Sequence, residues 1–148
     1  MIKIKCFEDF EYSYKNVTVT FFLDINGNVF PGEQWTDFAI TVLSWWTKEV
    51  IENYHLEHAD FILYFMDGPY RIECSKSGTS LRMNFIEDKK EIRSLYTIVE
   101  SIDSFAHELI EVSTILIKSV KKHRFGKINE LRNLKKSLKV LMSLENSQ

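Results

Sequence analysis

Cysteine, glycine and proline are all scarce in this chain, and each shortage removes a class of protein. Two cysteines in 148 residues, Cys6 and Cys74, with no CxxC pair, are too few for a disulfide-stapled secreted scaffold. They read as two reduced thiols packed as small hydrophobes. Five glycines and two prolines leave little material for a long flexible linker. No apolar stretch approaches the length of a membrane span. The start, Met1-Ile2-Lys3-Ile4-Lys5, lacks the unbroken apolar core and the small-residue cleavage site of a signal peptide. The expectation is a single α+β domain over residues 1–148, resident in the cytoplasm.

Catalytic signatures are missing too. His55 and His58 lie three apart, near Glu52, Glu57 and Asp60, but no HExxH is present and the segment reads as a loop of solvated histidines. After His107-Glu108, the second histidine of that motif is also absent. Asp24, Asn26 and Asn28 imitate the start of a calcium loop, yet Val29 and Trp35 stand where glycine and glutamate are needed. Ser77-Gly78-Thr79-Ser80 has one glycine and no following helix, so it is not a phosphate loop. There is no GxSxG, and neither cysteine has a catalytic context. No catalytic residue, metal ligand or cofactor is assigned, and the chain is not expected to be an enzyme.

What is present is ordinary globular material rich in rings. Hydrophobic residues make up 45%, with eleven Phe, six Tyr and three Trp, enough to fill a core. Alternation predicts strands over 2–10 and 16–23, then an Asn26-Gly27 hairpin turn and a short return to Pro31-Gly32. Trp35, Phe38, Val42, Trp45, Trp46 and Val50 recur at helical spacing, predicting a helix over about 34–52. Its opposite polar stripe is Asp37, Thr41, Ser44 and Lys48. Three tryptophans on one helix suggest packing across a sheet. Strands follow over 60–66, 70–74 and 81–86, with another over 92–99, joined by short turns as an antiparallel meander. A helix capped by Ser101 or Asp103 runs to about Lys122, with Gly126 as its C-cap, and a last helix spans roughly 128–144. The order ββ-α-βββ(β)-αα predicts an antiparallel sheet of about five to six strands. One tryptophan-rich helix packs on it and two helices complete the C-terminus.

Charge is unevenly spread. Residues 1–70 hold four lysines and no arginine against eleven acidic residues, a net of −7. Residues 71–117 hold six basic and eight acidic residues, a net of −2. Residues 118–148 hold nine basic and two acidic residues, a net of +7. Such polarity steers charged partners, unless the basic tail packs on the acidic body and cancels it. The basic residues from Lys118 to Lys139 have the type needed to neutralise phosphates. The overall pI of about 6.1 and their place on a solvated helix face argue against nucleic acid as the first choice.

One pattern goes beyond packing. Pro31-Gly32-Glu33-Gln34-Trp35-Thr36-Asp37-Phe38, then Leu43-Ser44-Trp45-Trp46, then Phe65-Met66-Asp67-Gly68-Pro69-Tyr70-Arg71-Ile72-Glu73 resembles small bacterial immunity proteins. These are encoded beside polymorphic or contact-dependent growth-inhibition toxins. The resemblance covers roughly residues 17–75 and leaves out the helical C-terminus. It implies a cytoplasmic protein that binds one toxin domain and blocks it. Many such toxins are nucleases with basic clefts, which an acidic surface would complement. Local charge puts Asp37, Glu49, Glu52, Glu57 and Asp60 forward as contacts, with Tyr54 as an aromatic anchor. A small nucleic-acid-binding protein using the basic helices is the second reading, and an enzyme of unknown class the third. A homodimer through the apolar sheet or the final helix is compatible with the pattern.

Overall fold

A computed structural model describes residues 1–13, 15–125 and 127–146. The strands are β1 (Ile2–Cys6), β2 (Glu11–Ser13), β3 (Asn16–Ile25), β4 (Asn28–Phe30), β5 (Thr36–Asp37), β6 (His58–Tyr64), β7 (Tyr70–Ser77), β8 (Ser80–Asp88) and β9 (Ile92–Ser101). The helices are α1 (Ala39–Asn53), α2 (Ile102–His123) and α3 (Leu131–Asn146). The chain is α+β. The described residues form two antiparallel sheets, of five and four strands, where sequence predicted one.

The first sheet is organised by β3, which pairs antiparallel with β1, β2, β4 and β5. Val17, Val19, Phe21, Leu23 and Ile25 share its core face, and Ile2, Ile4 and Phe30 join them as cross-strand partners. The β3–β4 turn at Asn26-Gly27 forms as expected, both residues at positive φ. β5 was not foreseen. Trp35, Thr36 and Asp37 are drawn out of the predicted helix because they extend this sheet: Phe21 N–H donates to Trp35 O at 2.9 Å, and Val19 stands opposite Asp37. Pairing on β3 satisfies backbone groups that an extra helical turn would leave facing the core.

The second sheet is the predicted meander, in the order β6-β7-β8-β9. Phe61, Leu63, Ile72, Cys74, Met83 and Phe85 point into the core, while Asp60, Ile62, Glu73, Ser75, Arg82 and Asn84 line the other face. α1 bridges the sheets. Trp46 is fully buried against Phe21 and Phe65, and its indole N–H donates to Tyr64 O at 2.7 Å.

α2 begins at Ser101, whose hydroxyl accepts from Ser104 N–H at 2.9 Å, so Ser101 rather than Asp103 is the cap. Its C-cap is Arg124 in the left-handed region, φ 52°; Gly126, expected there, lies outside the described residues. α2 and the end of β9 also close the outer edge of β1: Ile4 N–H donates to the buried Glu108 carboxylate of α2 at 3.2 Å, and Ile2 N–H to Glu100 of β9 at 3.3 Å. Side-chain carboxylates replace a neighbouring strand there, which leaves the edge unable to recruit one. α3 packs Leu134, Leu138 and Leu141 against α1 and α2. It lands on the side of α1 predicted to be solvated. Ser44 is buried there, donating to Glu130 Oε2 at 3.4 Å, and Thr41 is buried where β3 begins, accepting from Asn16 Nδ2 at 3.0 Å.

Candidate protein-binding surface

The α3 docking leaves one band of α1 open. Trp45, 38% exposed, stands in that band with Lys48, Glu49 and Glu52. On one side is a groove of about 680 Å³ between α1 and α3, bounded by Glu130, Lys136 and Val140. On the other is a recess of about 260 Å³ against β6, bounded by Ile62 and Tyr64. Ile62 also borders a depression of about 450 Å³ on the outer face of the second sheet, with Asp60, Arg82 and Asn84. Through Trp45 and Ile62, α3, α1 and the outer sheet face form one continuous relief. Tyr64 and Val140 are about half exposed along it.

The six residues named from sequence fall in different places. Glu49 and Glu52 sit beside Trp45, one turn apart on the same face. Burial, together with the Glu52 charge, pushes the Glu49 carboxyl above its usual range, against the opposing pull of Lys48. Asp60 is exposed in the adjoining sheet depression. Glu57 is exposed in the loop after α1, where its carbonyl accepts from Gly78 N–H at 2.8 Å.

Asp37 and Tyr54 are corrected. Asp37 is 1% exposed because its register opposite Val19 turns it into the core. Its carboxylate accepts from Trp35 Nε1 at 3.1 Å and Phe38 N–H at 2.8 Å. Burial raises its pKa against those two bonds, with Asp67 adding to the rise. Tyr54 is 5% exposed, and its hydroxyl donates to Asp103 at the start of α2. Burial and that carboxylate push its phenol up to about 12. Each holds elements together and offers a partner no surface.

The two outer segments of the immunity-like pattern meet in that interior. Trp35 packs edge-on against Tyr70 at 5.3 Å and Phe65 at 6.2 Å. It covers Gly68, whose φ is +82° and where a Cβ would fall 2.3 Å from the indole. The middle segment, Leu43-Ser44-Trp45-Trp46, supplies both a core ring and the exposed one. Sequence reasoning missed Trp45 as a surface residue. The available signal was its neighbour: adjacent helical positions point about 100° apart, so Trp45 and Trp46 cannot both face the same sheet.

Among the described residues, no three His, Cys, Asp or Glu side chains gather as a metal site. No described helix is long and apolar enough to cross a membrane. No family model, curated protein sequence or solved structure matches the chain.

Proposed function

We propose that the chain neutralises a cognate toxin domain by direct protein contact, without catalysis of its own. The observation that carries this reading is Trp45: a partly exposed indole on a rigid helix, between two recesses, with Glu49 and Glu52 beside it. Tryptophan supplies a large anchor with few rotors to freeze, and such rings dominate binding energy where a pocket receives them. Carboxylates around the anchor steer a partner with a basic cleft and disfavour one of like charge. Asp60, and Glu57 at the end of the loop after α1, extend the acidic character toward the second sheet.

The test is a calorimetric titration of the full chain with the toxin domain encoded immediately upstream of its gene. A one-to-one complex of nanomolar affinity is expected, on the order of −12 kcal/mol. Reversing Glu49 and Glu52 together to lysine should slow association at low salt and flatten or invert its dependence on salt. No heat with that domain, at concentrations where the chain is folded, would remove the reading.

A further inference from the structure

The segment after residue 117 behaves unlike the rest of the surface. Its two acidic residues are engaged by uncharged or histidine neighbours: Glu130 meets Ser44 and Asn133, and Glu145 meets His107 at 3.1 Å. Among the described residues, none of the lysines and arginines from Lys118 to Lys139 takes part in an ion pair. The basic tail therefore does not neutralise the acidic body through contact. On α3, Arg132, Lys135, Lys136 and Lys139 follow at three- and four-residue steps, where like charges repel. Burial and the adjacent Lys121 ammonium hold Lys135 below the usual lysine range.

Rings stand at the head of this ridge. Tyr12, Phe125 and His123 form a row: Phe125 is within 6° of parallel to Tyr12 at 5.8 Å, and within 9° of parallel to His123 at 5.9 Å. Tyr12 is 45% exposed and His123 is also exposed. The row is fixed in place. Phe10 packs edge-on against both His123 and Phe125, at 4.9 and 5.3 Å. His123 Nδ1 donates to Ser119 O at 2.8 Å, Tyr12 OH donates to Lys127 O at 3.2 Å, and Asn129 N–H donates to Lys15 O at 2.7 Å. Lys122, Arg124 and Lys127, all exposed, alternate with these rings. Arg124 holds a left-handed cap that glycine would occupy without strain.

We infer that this corner binds single-stranded nucleic acid, its bases stacking on the Tyr12–Phe125–His123 row and its phosphates held by Lys122, Arg124 and Lys127. Ordered rings, Tyr12 and His123 of them exposed, and cations outside any ion pair are the two parts such a site needs, and stacking requires bases released from a duplex. The pI argument against nucleic acid rests on net charge, whereas a strand meets the local field, in which the exposed Lys122, Arg124 and Lys127 stand at the rings and the nearest acids, Glu8, Asp9 and Glu11, lie in the segment leading to Tyr12. The site shares no residue with the Trp45 surface, so either proposal can fail alone.

Fluorescence anisotropy of the full chain with labelled DNA and RNA single strands of about 12 nucleotides tests it. Saturable binding of either is expected, weakening roughly 20-fold between about 50 and 200 mM salt if Lys122, Arg124 and Lys127 each hold one phosphate. An RNA preference would add contacts to the 2′-hydroxyl. Tyr12→Leu should weaken binding roughly tenfold, the scale of one lost stack, and Tyr12→Phe should not. Arg124→Gly should weaken binding while leaving the melting temperature equal or higher, which separates a lost contact from a damaged fold. Absence of binding at the lower salt overturns the inference. So does wild-type affinity in folded Tyr12→Leu, or equal competition by duplex DNA or polyglutamate.

Discussion

Trp35 and Trp45 belong to neighbouring regions and serve them differently: Trp35 is partly buried against the core, Trp45 is 38% exposed. Trp35 closes over Gly68 beside Tyr70 and Phe65, its indole N–H held by a carboxylate that is itself buried. Trp45 stands in open relief with carboxylates that remain near solvent. Around Trp35, acid and ring serve the fold; around Trp45, the same chemistry is left facing outward. The segments that read as immunity-like span both regions: Asp37, Leu43, Ser44, Trp46, Phe65 and Ile72 are buried, while Glu33, Gln34, Thr36, Trp45, Met66 and Asp67 are exposed.

The comparison is broken most severely inside the core. Trp46→Ala removes the ring packed against Phe21 and Phe65, and should cost about 3–5 kcal/mol in urea unfolding. Trp45→Ala should cost only about 1 kcal/mol by the same measurement. Similar losses for both would mean that Trp45 is part of the core and not an anchor.

Gly68→Ala attacks the Trp35 node from its other side. The new methyl would meet the indole at 2.3 Å, at a φ that side chains rarely adopt. Overpacking and backbone strain together should cost roughly 2–4 kcal/mol. A melting temperature equal to wild type would show that Trp35 yields freely and that the node is not rigid.

For the open region the measurable quantity is affinity. Trp45→Ala should lower toxin affinity by about 2 kcal/mol, roughly thirtyfold, with most of the change in dissociation rate. Unchanged affinity in a complex that does form would move the contact elsewhere on the relief.

Much of the fold was legible because local patterns agreed with the tertiary outcome. The Asn26-Gly27 turn, the β6–β9 meander and the Ser101 cap each follow from residues close in sequence. What was illegible depended on docking. Thr41 and Ser44 have the polarity of a solvated stripe and are buried because other elements meet them, Asn16 of β3 at Thr41 and Glu130 before α3 at Ser44. Asp37 looks like a surface acid until its register opposite Val19 is known. β5 was illegible for the same reason, since β3 gathers it from what reads as helix. The candidate surface was half legible: Glu49 and Glu52 follow from charge, while Trp45 and Tyr64 required knowing which ring the core takes.

The smallest expected effect concerns the protonation of Asp37. Burial raises its folded-state pKa above the ordinary 3.8, and bonds from Trp35 and Phe38 oppose the rise without cancelling it. A carboxyl with a raised folded pKa gives its full contribution to stability below the unfolded pKa and loses it as pH rises through the folded value. Wild type should therefore lose stability relative to Asp37→Asn on moving upward from about pH 3.8. Asparagine keeps one acceptor oxygen for the two donors, so the variant starts less stable in acid and the gap narrows as pH increases. Paired urea titrations at several pH values read this directly, since the other carboxyls titrate in both proteins. A gap that widened with rising pH would mean that Trp35 and Phe38 stabilise the ionised form more than burial penalises it. The Trp35 region would then be a charged site enclosed by rings, and its contrast with the open acids around Trp45 would be one of access alone.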